Sequence, residues 1–270
     1  MTDRYQLRGM DVAVRPDGVA VLTINGRDRV NSLDEQDHLE LSQVWRRLDG
    51  DPDVRVVVVT GAGDYFSAGG NLDMELRIAG DYQAVMDTMT EARDLVLNMV
   101  ACDTPIVSAI NGPAAGAGLA AALLADISVI GESTELTDGH TRIGIPAGDH
   151  AALIWPLLCG MARAKHLLLT SDRIDGRRAA EIGLVSLAVP DDRVVEEALA
   201  LATRLAAGPQ RALAWTKRSL NYWLRQAVPS FEASLGLEML GLLGPDYREG
   251  LNAFRDKRSP DFGSEPHEGE

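Results

Sequence analysis

The chain has 270 residues, 46% hydrophobic and 24% charged, with a formal net charge of −14. That balance suits one large globular domain, or one domain with a helical appendage. It argues against a nucleic-acid partner, because neutralising phosphates needs a basic face, and no apolar run reaches the roughly 18 uncharged residues of a membrane span.

The opening MTDRYQLRGM carries charges and no apolar h-region, so no signal peptide is expected. GVAVLTIN (18–25) alternates like a strand. NSLDEQDHLELSQVWRRL follows with helical periodicity, Ser32 and Glu35 standing at capping-box spacing. VRVVVVTG (54–61) is a continuous apolar run of the kind buried on both faces of a sheet. A Gly/Ala-rich loop (61–70) leads to a helix around 81–100, then to the strand PIVSAING (105–112) and the small-residue segment PAAGAGLAAALLA. DISVIG and TELT predict two further strands.

Beyond residue 150 the 3.6-residue period dominates. WPLLCGMARAKHLLLTS, DGRRAAEIGL, VVEEALALATRLAAG, PQRALAWTKRSLNYWL, FEASLGLEMLGLL and PDYREGLNAFRDK each read as a helix. Alternating strands and helices, then helices alone, predict an α/β core followed by a helical region. The acidic tail GSEPHEGE is expected to be disordered. Cys102 and Cys159 lie in apolar settings without metal-ligand spacing, as buried free thiols of a reducing cytoplasm would.

Two loops could hold an oxyanion. FSAGGNLDM (66–74) and INGPAAGAGLA (110–120) each place small residues directly after a strand, leaving backbone N–H groups approachable. The second also opens a helix, whose first N–H groups lack partners. Close packing of helix on strand explains the same composition, and both explanations stand at this level. Two cationic clusters, Arg27/Arg29 and Lys257/Arg258, could meet a small anionic ligand despite the acidic whole.

These motifs carry a resemblance. VVVVTGAGDYF running into FSAGGNLDM, then AINGPAAGAGLAAALLADISVIGE, RDRVNSLDEQ upstream and PDYREGLNAFRDKRSPDF at the end, are similar to the crotonase (enoyl-CoA hydratase/isomerase) superfamily in consistent order from about residue 10 to 262. The resemblance implies an α/β fold built as a spiral of ββα repeats with a C-terminal helical trimerisation region. It divides the chain into a core with the active site at 1–200, a helical region at 201–262 and a tail at 263–270. It implies a cytoplasmic homotrimer or dimer of trimers, acting on an acyl-CoA with no tightly bound cofactor and no metal, coenzyme A being part of the substrate. By motif position, the N–H groups of Gly70 and Ala117 would form the oxyanion hole. Arg27, Arg29, Ala68, Phe254 and Lys257 would face the CoA moiety.

Departures from the pattern bear on the chemistry. Where hydratases of the family carry their two glutamates, this chain has Ala120 and the pair Gly139–His140. His140 replaces the second, and Asp149 follows nine positions on, at the start of the next helix. Dienoyl-CoA isomerases and a CoA-thioester dehalogenase also use an acid near that point. The stretch HTRIGIPAGDHAALIWP (140–156) is locally similar to the β-diketone hydrolases of the superfamily, which perform retro-Claisen cleavage with a His–Asp couple. An imidazole titrating near pH 6.5 can accept a proton at neutral pH. An Asp bonded to it would fix its tautomer. Asp149 is equally placed to cap the helix that follows, and His140 could be a loop histidine bonded to backbone.

The remaining candidates read as structural. His150 is expected to be exposed, His38 and His166 structural or on the surface, and Trp155, Trp215 and Trp223 in a core. Glu238 is the one carboxylate in an apolar helix that could reach a site. The expected activity is an enolate-forming conversion of an acyl-CoA, with retro-Claisen hydrolysis of a β-diketone as the alternative. A catalytically silent acyl-CoA-binding protein is the alternative of another class.

Overall fold

A computed structural model describes residues 5–263 of the chain. It begins with a hairpin in which β1 (Met10–Val14) pairs antiparallel with β2 (Val19–Ile24). The sequence does not signal β1, an edge strand with alternate residues left to solvent and little apolar contrast. From β2 the chain enters a two-residue strand, β3 (Ser32–Leu33), and returns along α1 (Glu35–Asp49). The same unit recurs as β4 (Val56–Gly61), β5 (Gly69–Gly70), then α2 (Leu72–Ile78) and α3 (Tyr82–Ala101). In the third unit, β6 (Ile106–Ile110) is followed by a single bridge at Ala114 and by α4 (Gly116–Leu123). The fourth supplies β7 (Ile127–Gly131) and β8 (Glu135–Leu136).

The rest is mostly helical: α5 (Ala151–Cys159), α6 (Met161–Thr170), β9 (Ile174–Asp175), α7 (Gly176–Glu181), β10 (Leu187–Val189), α8 (Val194–Ala206), α9 (Gln210–Leu242) and α10 (Pro245–Arg255). This is the spiral of ββα units that the resemblance implies. All of the expected tail except Gly263 lies outside the described residues.

The longer strands form one sheet in the order β1-β2-β4-β6-β7-β10, parallel except at β1. The short ones form a second layer: β3 pairs with β5, Ser67 bridges Ala114, Ala114 bridges Leu136, and β8 pairs with β9. Both faces of the main sheet are covered, which is why β4 is buried throughout. Val57 and Val59 enter the large core, while Val56 and Val58 meet Ala198, Ala202 and Ala206 of α8.

Local expectations shift where tertiary contacts compete. The capping box of α1 is Asp34/Asp37 rather than Ser32/Glu35, because β3 draws Ser32 into its pairing with Gly69. The helix expected over 155–171 breaks at Gly160, which separates α5 from α6. The helices expected over 209–224 and 231–243 are one, α9, with Pro229 inside it.

An internal proline removes a backbone bond and costs about 3 kcal/mol. Ties on either side of Pro229 offset that cost. Lys217 Nζ donates to Thr104 O at 2.8 Å and pairs with Asp126 at 2.8 Å, and Asn221 Nδ2 donates to Val100 O at 3.0 Å. Phe231 and Leu235 are fully buried. Trp155 packs in the core as expected, whereas Trp215 and Trp223 lie exposed on the outer side of α9. No helix among the described residues is long and apolar enough to cross a membrane. Both cysteines are buried and free, with burial pushing the Cys102 thiol up to about 12.

Lys217→Met should lower stability by about 2–3 kcal/mol, read from the midpoint of urea unfolding. The variant leaves Asp126 inside without its cation, although residual solvent access at Asp126 tempers the loss. Adding Asp126→Asn should restore part of it.

Candidate active site

The second layer of short strands determines where the polar groups go. The segments that follow Ser67, Ala114 and β8 in that layer reach one cavity of about 290 Å³. Ala68 and Gly70 arrive from β5, Ala117 from the start of α4, and His140 and Asp149 from the segment after β8; α9 contributes Glu238 and α10 contributes Phe254.

The two small-residue loops meet backbone to backbone. Gly69 has φ +79°, and a Cβ there would lie 3.0 Å from Ala115 O and 3.2 Å from Gly116 Cα. Ala115 N–H donates to Ser67 O at 2.9 Å across the join. Asn71 N–H donates to Leu33 O at 2.9 Å, so alternation along the strand turns the Gly70 N–H away from β3. Ala117 is the second residue of α4, whose N-cap, Ala115, has no side chain to satisfy the first amides.

His140 is buried, and its partner differs from the expected one. Asp138 Oδ1 accepts from His140 N–H at 3.3 Å and from its Nδ1–H at 2.8 Å, an Asx turn closed onto the ring. The signal for it, Asp two residues before His across a glycine, is present in TDGH. Nε2 points between Asp149 Oδ1 at 3.8 Å and Glu238 Oε1 at 3.7 Å. Asp149 does not cap α5. Its Oδ1 accepts from His150 N–H at 2.7 Å and from His150 Nδ1–H at 2.6 Å, and His150, expected outside, is fully buried. Glu238 Oε2 accepts from Gly148 N–H at 3.0 Å.

Protonation follows from this crowding. Burial alone would lower His140, but Asp138 and Asp149 hold it well above the 6.5 of a free imidazole. These surroundings therefore favour the protonated form of His140. Burial, reinforced by Asp149, pushes Glu238 well above the carboxylate range. Asp149 goes the other way: burial would raise it, yet His150 and His140 hold it below that range. His140, Asp149 and Glu238 also form the one cluster of potential metal ligands among the described residues, one atom of each within 4.8 Å of the others.

Of the residues expected to face CoA, Ala68 and Phe254 line the cavity and three do not. Arg27 is spent on Asp37, at 2.9 and 3.2 Å, and on Asp34 at 2.8 Å. Arg29 and Lys257 are exposed outside the wall. Sequence reasoning missed four groups at or beside the cavity: Asp138, His38 (bonded to Glu91 at 2.7 Å), Glu75 and Tyr247.

Residues 15–265 match the family profile described as enoyl-CoA hydratase/isomerase. A 1,2-epoxyphenylacetyl-CoA isomerase of Escherichia coli is 31% identical over 251 residues, covering 91% of this chain and 95% of its own. Among solved structures, an enoyl-CoA hydratase/isomerase from Mycobacterium paratuberculosis superposes with a TM-score of 0.87 at 35% identity, covering 92% of this chain and 99% of its own. A β-diketone hydrolase from the cyanobacterium Anabaena, solved with (S)-3-oxocyclohexyl acetic acid bound, superposes with a TM-score of 0.81 at 25% identity, covering 89% of this chain and 97% of its own.

In an NMR titration with ring-labelled histidine, His140 should lose its proton well above pH 6.5. Asp138→Asn should move that transition down, because it removes a carboxylate that holds the proton.

Proposed function

The chain belongs to the enoyl-CoA hydratase/isomerase family, and from that premise we propose that it hydrolyses a carbon–carbon bond of a β-dicarbonyl compound through an enolate. The observation that carries this reading is the placement of His140, wedged between Asp138, Asp149 and Glu238, in the same cavity as the Gly70 and Ala117 amides. A hydratase of the family would need two glutamates, and here those positions are Ala120 and Gly139–His140.

Asp149, ionised, takes a proton from water as the oxygen bonds to one carbonyl carbon. The His140 imidazolium and neutral Glu238 donate to that carbonyl's oxygen as it gains charge. The adjacent C–C bond then breaks, its electron pair passing to the α-carbon. The resulting enolate oxygen rests on the Gly70 and Ala117 N–H groups, each such donor typically worth ~3–4 kcal/mol in the transition state. The products are a carboxylic acid and the shortened carbonyl compound. A silent binding protein would have no use for a buried, four-membered proton-holding cluster.

A second reading, conversion of an acyl-CoA thioester through the same enolate, is favoured by the E. coli isomerase and by Phe254, exposed at the cavity rim three residues before Lys257. Crotonyl-CoA, acetoacetyl-CoA and a cyclic β-diketone assayed side by side separate the two. Cleavage of the diketone without CoA supports the first, and turnover of crotonyl-CoA alone overturns it.

On whichever substrate turns over, His140→Ala should lower kcat by at least ~100-fold, the usual scale for one acid–base group, with the fold unchanged by circular dichroism. The acid role also fixes the direction of pH dependence. His140 must be charged, so kcat/KM should hold through neutral pH and fall only well above 6.5. A rise through about pH 6.5 would instead mark His140 as the base.

We also propose a homotrimer or a dimer of trimers built on α9 and α10. Trp215, Leu220, Tyr222 and Trp223 on α9, with Leu237 and Leu240 further along, form an exposed apolar face that a single chain leaves to water. Light scattering at micromolar concentration should give three or six chain masses.

A further inference from the structure

Glu75, on α2, lines the cavity but has no part in the water-activating cluster. Its Oε2 accepts from the hydroxyl of Tyr247, a fully buried residue of α10. Its Oε1 occupies the space a side chain at residue 70 would need: a Cβ on Gly70 would lie 2.1 Å from it. Glycine at 70 therefore does two things. It leaves its amide open, and it admits a carboxyl oxygen beside that amide. No hydrogen bond to Oε1 occurs among the described residues.

An ionised carboxylate in this place would repel the negative charge that the Gly70 and Ala117 amides are proposed to receive. A neutral acid would donate to the same region. Burial is the largest influence on Glu75 and favours the neutral form. The titratable groups facing it are His38 (bonded to Glu91), His140 and Glu35. The bond from Tyr247 engages Oε2 as an acceptor, leaving Oε1 to carry the proton towards the cavity.

We propose that Glu75, held by Tyr247 against Gly70, is the catalytic acid that protonates the α-carbon of the enolate. The proposal rests on the reading that the Gly70 and Ala117 amides hold an enolate. It supplies a step that reading requires, because the electron pair left by the broken C–C bond must end in a C–H bond. In the step the O–H bond of Glu75 breaks and a C–H bond forms at the α-carbon. The enolate's electrons return to the C=O bond. Glu75 is left as a carboxylate that Tyr247 stabilises, and solvent returns its proton after the product leaves. Tyr247 is the positioning residue.

By microscopic reversibility the same step, run backwards, exchanges the α-hydrogens of a product with solvent. The test is deuterium uptake from D2O into butyryl-CoA and into (3-oxocyclohexyl)acetic acid, followed by NMR, with binding of both compounds measured by calorimetry. The wild-type protein should exchange the one it binds. Glu75→Gln keeps a polar group of the same shape that can accept from Tyr247, so it should bind equally and exchange at least ~100-fold more slowly. Tyr247→Phe keeps the acid and should lose less than ~10-fold. Exchange by Glu75→Gln at the wild-type rate overturns the proposal and leaves the enolate reading standing. Wild-type protein that binds either compound without exchanging it overturns both. A loss in Tyr247→Phe as large as that in Glu75→Gln would assign the effect to packing, and overturns the proposal too.

Discussion

The contact on which the site depends is the hydrogen bond from His140 Nδ1–H to Asp138 at 2.8 Å. Burying a charged imidazole costs several kcal/mol unless its partners are close and themselves satisfied. Asp138 reaches it through a two-residue turn, so the pair forms as soon as the chain leaves β8. The remaining partners come from farther away. Asp149 is held by His150, and Glu238 by the Gly148 N–H, so the loop before α5 must lie against α9. Ser234 Oγ donates to Gly148 O at 2.8 Å and closes that contact one helical turn from Glu238. An uninterrupted α9 follows from the same need. Lys217 anchors one stretch beside the main sheet and Glu238 enters the cavity from another, and a break at Pro229 would uncouple the two.

The two glycine- and alanine-rich loops admitted opposing explanations, packing and oxyanion binding, and the packing contacts are the visible part. Gly69 and Gly116 bring the backbones together, and a Cβ on Gly118 would meet Ser67 Cβ at 2.5 Å, which is packing. Gly70 and Ala117 stand next to those contacts with amides that neither the ladder nor the helix consumes. Tight packing is what holds two amides from distant segments on one cavity, so packing is a condition for the proposed oxyanion binding.

Long elements were legible because their signal is periodic. The runs at 56–61 and 106–110 and the helices α8 and α10 lie where the sequence pattern puts them. The second layer was not, since strands of two residues have no period to read. Of the site, Gly70, Ala117, His140 and Asp149 reach the cavity their motif positions suggested, and Glu238 reaches it from its apolar helix. The partnerships among them were hidden. Asp138 sat in plain view two residues from His140, but the nine-residue spacing to Asp149 drew the pairing there instead. Glu75 and Tyr247 lie 172 positions apart and meet only when α10 folds back over α2. Arg27 shows the converse failure: acidic neighbours were visible on either side of it, but only folding shows that Asp34 and Asp37 consume its charge.

That lost charge bears on the substrate. A CoA nucleotide carries several phosphate charges, and a chain at −14 must offset its own field with local cations to hold one. Arg27 is bound to two carboxylates and Arg258 to Glu249, so both clusters expected to supply those cations are partly neutralised. Within the cavity the balance favours uncharged ligands as well. Asp138 and Asp149 already flank the one imidazole, and any further anion would have to enter beside them. A compound presenting two carbonyl groups and no nearby charge meets donors at Gly70, Ala117, His140 and Glu238 without opposing that field. Its charge develops only after water adds, beside groups already placed to receive it. Pre-positioned donors of this kind favour the transition state over the ground state, which is what the proposed cleavage asks of the cluster.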